Sequence, residues 1–67
     1  MTTATAETWA SVYRYQNSLR SGAKQLYAAQ YVSWRRGIRR TEPARPASLS
    51  YMAAQSVRIH VDGIIEG

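Results

Sequence analysis

A mainly α-helical fold in a single small domain is what this sequence predicts, and three observations predict it. Apolar and aromatic residues recur at steps of three and four from Trp9 to Trp34, which puts them on one face of a helix turning about 100° per residue. A stretch holding both prolines, Thr41 to Ala47 (TEPARPA), follows and interrupts that pattern. A second amphipathic run then fills the remainder of the 67 residues.

Residues 1–4 form a small, polar lead-in. Thr5 is suited to cap a helix, and Glu7 would face the positive end of its dipole. Trp9, Val12, Tyr13, Gln16, Leu19, Arg20, Ala23, Tyr27, Gln30, Tyr31 and Trp34 then share one face, so the spacing predicts a long N-terminal helix over about 5–36. The opposite side collects Arg14, Ser18, Ser21, Gln25, Arg36 and Arg39. As one rod this helix would be about 48 Å long. Ser21-Gly22 is its weak point, because glycine inside a helix costs about 1 kcal/mol relative to alanine, and a kink at 21–22 is the alternative. The phase runs unbroken from Leu19 and Ala23 to Tyr27, which favours continuity.

Gly37 suits the position just past a helix end, with Ile38 folding back and Arg35 and Arg36 facing the negative end of the dipole. The prolines push Glu42 and Arg45 toward extended geometry, so 41–47 reads as a linker. Ser48 can cap a shorter C-terminal helix over about 48–65, completing a helical hairpin. Leu49, Met52, Ala53, Val57, His60, Val61 and Ile64 would line one face of it, and Gln55, Arg58, Asp62 and Glu66 the other. Arg58 and Asp62 sit at i and i+4 and could pair. A strand over 57–65 is the rival reading, since Val57, Ile59 and Val61 alternate with Arg58, His60 and Asp62 before a turn-forming Asp62-Gly63. A second helix this short covers half of the first, leaving aromatic surface bare, which is a sign of an interface.

Composition narrows the function. Nine basic and four acidic residues give a net charge of +5, and eight of the nine are arginine. Arginine grips phosphates bidentately and stacks on flat rings, so the excess favours nucleic acid or an acidic protein surface as partner. With no cysteine, neither disulfides nor thiolate metal sites can brace so short a chain. An oligomer or a place in a larger complex is therefore expected. No run of apolar residues is long enough to span a membrane, and Met1 to Glu7 lack the pattern of a signal peptide. The expected location is the cytoplasm, or an assembly formed there. Binding to a membrane surface fits less well, because the apolar face is rich in Tyr and Gln and poor in Leu and Phe.

The stretch Tyr27 to Arg40, YAAQYVSWRRGIRR, is the candidate contact surface. Arg35, Arg36, Arg39 and Arg40 would stripe one helix end, with Arg14, Arg20, Lys24 and Arg45 in support, and such stripes can span phosphates. Trp9, Tyr13, Tyr27, Tyr31 and Trp34 are aromatic core or interface, with base stacking as the alternative role. His60, Asp62 and Glu66 are the one grouping with metal-ligand chemistry, and they are too few and too badly phased for a site. One histidine and four acidic residues supply no set of nucleophile, base and orienting group, and Ser21 to Lys24 match a serine-x-x-lysine spacing without a pocket. No catalytic residue, metal or cofactor is expected, and the chain is read as not an enzyme. Two functions remain. One is a small basic protein contacting nucleic acid through an arginine-rich helix end. The other is a subunit of a large assembly, a virion or ribonucleoprotein particle, docking through its aromatic stripe and C-terminal segment. Its brevity and arginine-rich helix are of the kind found in small phage or bacterial accessory proteins.

Overall fold

The computed structural model describes residues 4–67, so most of the predicted lead-in, residues 1–3, lies outside the described residues. Three helices follow in order: α1 (Ala6–Ser18), α2 (Gly22–Arg35) and α3 (Tyr51–Glu66). The mainly α prediction holds, and the strand reading of 57–65 does not, because those residues are helical throughout.

The single rod over 5–36 is replaced by two helices. The chain opens at the weak point the glycine marked, with Leu19 (ψ 133°) and Ser21 (ψ 127°) both extended. Leu19 N–H turns back to the Gln16 carbonyl at 3.3 Å, and the Ser21 hydroxyl accepts from Lys24 N–H at 3.3 Å to start α2. The serine-x-x-lysine spacing is thus a helix cap. Packing explains why unbroken periodicity failed to keep one helix. A break forfeits a few backbone hydrogen bonds, each worth about 1 kcal/mol net. Folding α1 back on α2 instead helps bury Val12, Tyr27, Ala28, Tyr31 and Val32, and each large side chain so covered returns about 1.5–3 kcal/mol. The molecule is accordingly 33 Å along its longest axis, well short of the rod.

The hairpin therefore lies between α1 and α2. Arg36, just past α2, donates to the Tyr13 hydroxyl at 2.7 Å and lies over the Trp9 ring, which fixes the end of α2 beside the Trp9–Tyr13 turn of α1. α3 packs against both helices. Its partners on α2 advance together: Arg58 sits over the Tyr31 ring, Asp62 meets Tyr31 and Arg35, and Glu66 meets Arg35. α3 therefore runs in the same direction as α2, and the segment from 36 to 50 must travel back along the bundle to start it. That segment is anchored, with Pro43 and Leu49 buried and Glu42 paired to Arg58 at 3.4 Å. The cap of α3 is Ser50, accepting from Ala53 N–H at 3.1 Å, two residues later than the predicted Ser48.

The core is Val12, Tyr27, Ala28, Tyr31, Val32, Leu49, Ala54, Val57 and Val61. The face of α3 that enters it is centred on Ala54, Val57 and Val61, at i, i+3 and i+7. Met52 and His60, expected on that face, point away from it and are exposed. His60 instead stacks flat on Tyr15 of α1, with ring centroids 3.8 Å apart.

Candidate functional site

The four arginines expected to form one helical stripe fall in two environments. α2 ends at Arg35, and Gly37 takes φ 90°, a conformation that side-chain-bearing residues adopt with strain. Ile38 N–H bonds to Ser33 O at 2.9 Å and Gly37 N–H to Trp34 O at 3.0 Å, the Schellman arrangement that closes a helix on itself. The backbone folds back as expected at Ile38, but its side chain is 68% exposed. Arg39 and Arg40 therefore sit on a turn outside the helix. Both are exposed, and neither has an acidic partner among the described residues.

Arg36 is held at that turn by aromatic rings. Its guanidinium carbon lies 5.6 Å from the Trp9 ring centroid and 5.6 Å from that of Tyr13, while the Tyr13 hydroxyl accepts its hydrogen bond. Both rings are half-buried, and the arginine remains exposed. A guanidinium placed against ring faces keeps N–H groups free at its edge, so Arg36 is oriented without being neutralised.

Arg35 faces inward and is committed to internal contacts. Its Nη1 donates to Asp62 Oδ1 at 2.5 Å and its Nη2 lies 3.5 Å from Glu66 Oε1. The same Asp62 oxygen accepts from the buried Tyr31 hydroxyl at 2.6 Å. Burial alone would lower the Arg35 pKa, but Tyr31, Asp62 and Glu66 together hold it above its ordinary value. Burial, with the Asp62 bond that favours the O–H form, pushes the Tyr31 hydroxyl up. The predicted Arg58–Asp62 pair does not form. Arg58 turns to Glu42 in the linker and over the Tyr31 ring, with Asp62 given to Arg35.

These pairings set the charge left at the surface. Residues 1–47 carry eight basic and two acidic side chains, while 48–67 carry one basic and two acidic. Glu42, Asp62 and Glu66 are all engaged by Arg35 and Arg58. Of the remaining cations, Arg36, Arg39 and Arg40 cluster at the α2 end. Arg20 and Lys24 lie at the other end of α2, about 20 Å away at 1.5 Å per residue. Arg14 is exposed on α1, and Arg45 donates to the Leu49 carbonyl beside a cavity of about 410 Å³ lined also by Tyr27, Tyr51 and Arg58.

The aromatic residues are mostly accounted for by packing. Tyr27 and Tyr31 are 3% and 2% exposed, with ring centroids 6.3 Å apart, and Trp34 is tilted against Tyr31 at 5.7 Å. The bare stripe expected of two helices is covered because there are three. The large apolar side chains left in water lie elsewhere: Met52, Ile59 and Tyr51 on α3, Leu26 on α2 and Ile38 on the turn. Sequence reasoning missed the α3 group. The signal available was that Met52 and Ile59 are seven apart, hence on one line, while Ala54, Val57 and Val61 already make a complete buried face.

Among the described residues no group of three metal-ligating side chains comes together, and no helix is long and apolar enough to cross a membrane. No family model matches the sequence, and no match was found among curated proteins or among solved structures.

Proposed function

We propose that this chain is a small, non-enzymatic binding protein that contacts the phosphate backbone of nucleic acid through the turn closing α2. The observation that carries this reading is the unpaired state of Arg36, Arg39 and Arg40 at one turn: Glu42, Asp62 and Glu66 are engaged by Arg35 and Arg58, and exposed Glu7 forms no ion pair with the three. Arg36 is pre-oriented by Trp9 and Tyr13, and the left-handed Gly37 turns the chain so that Arg39 and Arg40 leave the helix axis. With Tyr27 and Tyr31 buried, base stacking plays little part, and recognition is by charge with weak sequence preference.

The test is a fluorescence-anisotropy titration with labelled single-stranded and duplex oligonucleotides over a salt series. Arg36→Gln, Arg39→Gln and Arg40→Gln together should weaken binding at least about tenfold on every sequence and flatten the salt slope by about one per lost phosphate contact. Arg35→Gln serves as the contrast, since it should reduce stability more than affinity. Unchanged binding by the triple variant, or no binding at low salt, would sink the proposal. A second reading, a subunit of a larger assembly docking on protein neighbours, draws support from the exposed apolar side chains of α3 and no longer from the aromatic stripe.

A further inference from the structure

The cavity of about 410 Å³ bounded by α2, the linker and the first half of α3 has a buried polar group in its wall with nothing to bond to. Tyr27 lines it and is 3% exposed, yet its hydroxyl makes no hydrogen bond among the described residues. The Tyr31 hydroxyl, one turn on, is by contrast bonded to Asp62 at 2.6 Å. The charges that act on the Tyr27 hydroxyl are those of Arg58 and Glu42, both cavity residues, so the polar end of the ring is the end that reaches the wall. A buried polar atom without a partner is costly, and native folds keep few of them. The remaining lining is suited to an anion. Arg45 donates through Nη1 to the Leu49 carbonyl, which orients its guanidinium and leaves its other N–H groups without an acceptor among the described residues. Arg58 is held only by Glu42 at 3.4 Å, through side chains 44% and 45% exposed, and exposed pairs of this kind yield readily to a competing anion.

We infer that this cavity binds a small aromatic carboxylate, a single negative charge on a flat apolar body. The carboxylate accepts from the Arg45 and Arg58 guanidinium groups and from the Tyr27 hydroxyl, giving that buried group its missing partner. The flat body lies on buried, apolar Pro43 and Ala54, with the 65% exposed Tyr51 ring at the rim to cover it. Charge selects a monoanion. Two guanidinium groups against the one carboxylate of Glu42 leave a single positive charge to balance, and a phosphate monoester, at about −1.5 to −2, would leave the site negative. Volume selects a compact ligand, because ligand pockets run from about 300 to 1,000 Å³ and this one lies near the small end. The site is separate from the arginine turn, since Tyr27 and Arg36 lie about 14 Å apart along α2 at 1.5 Å per residue.

Benzoate, benzamide and inorganic phosphate are the probes, titrated into isotope-labelled protein and followed by backbone amide and arginine Nε–H chemical shifts. Benzoate should saturate with Kd below about 1 mM and move the signals of Arg45, Ala54 and Arg58. Benzamide, which has the same shape without the charge, and phosphate should each bind at least about tenfold more weakly. Tyr27→Phe keeps the ring and loses no internal hydrogen bond, so it should leave the melting profile of the free protein intact or raise it. The same variant should weaken benzoate about tenfold, the loss of a hydrogen bond to a charged acceptor. Arg58→Gln, on an exposed side chain, should weaken it at least as much. The arginine-to-glutamine triple variant of the turn should bind benzoate like the parent chain, which separates failure of this site from failure of nucleic-acid binding. Benzoate that does not saturate, equal binding of benzoate and benzamide, phosphate bound more tightly than benzoate, loss of benzoate binding in the turn variant, or undiminished binding by Tyr27→Phe would each overturn the inference.

Discussion

At the scale of single residues, Asp62 is the hinge of the arrangement. One of its oxygens accepts from both Tyr31 on α2 and Arg35 at the end of α2. It thereby joins a buried ring to a half-buried cation and decides which arginine is unavailable for external anions. Tyr31→Phe keeps the ring, which is 2% exposed, and deletes only the hydroxyl. A hydrogen bond to a charged acceptor contributes about 1.5–3 kcal/mol, and partial exposure of Asp62 places this one near or below the low end. A loss of about 1 kcal/mol is expected, read as a fall in Tm of about 4–8 °C for a chain of this size. An unchanged melting curve would show that water replaces the bond without cost. Little of this was visible in the sequence. The i, i+4 rule pairs Arg58 with Asp62, and that rule sees only one helix, whereas Arg35 reaches Asp62 from a neighbouring one.

The three helices show how local signals and packing divide the work. The cap at Thr5, the stop at Gly37, the linker prolines and the helical state of the C-terminal run were all legible, because each depends on a few adjacent residues. The split between α1 and α2 was marked at the right place by Ser21-Gly22 but misjudged, because periodicity measures phase and is blind to a short extended step. The core face of α3 was misplaced for a related reason. Counting Met52 and His60 as inward made a wider stripe, and only the position of α1 and α2 shows that Ala54, Val57 and Val61 fill the space. Two glycines sharpen the point. Gly22 opens α2 with ordinary backbone geometry, and a Cβ there meets nothing within 4 Å. Gly22→Ala should therefore stabilise the protein by about 0.4–1 kcal/mol through the unfolded chain. Gly37 stands at φ 90°, so Gly37→Ala should destabilise by at least about 1 kcal/mol despite equal free space. Paired urea titrations check this, and shifts of the same sign in both variants would contradict the cap geometry.

For the whole molecule, stability rests on a small core that includes Tyr27 and Tyr31, and folding favours the protonated form of those tyrosines. Burial pushes the Tyr15, Tyr27 and Tyr31 hydroxyls above their ordinary value of 10.0. An acid whose pKa is raised by folding is favoured in its protonated form, so its contribution is complete below pH 10 and is lost as pH rises through the folded value. Stability should thus be level from neutral pH to about 10 and fall beyond it. The tyrosinate absorbance contributed by Tyr15, Tyr27 and Tyr31 should rise together with the loss of helical circular dichroism. Ionisation of Tyr15, Tyr27 and Tyr31 in a chain that remained folded would refute this account. The chain's basic character was plain from composition, but its distribution was not. Which arginines are spent on Glu42, Asp62 and Glu66 depends on three-dimensional neighbours, and that separates the free turn at 36–40 from the committed Arg35 and Arg58.

The shared direction of α2 and α3 has one more effect. Because α1 runs against both, Thr5 and Glu66 emerge at the same end of the bundle, next to the arginine turn. A fluorophore carried on Thr5 or Glu66 would hang over those cations and mask or mimic their behaviour. A label carried on Gln25, away on the flank of α2, would leave that end unobstructed.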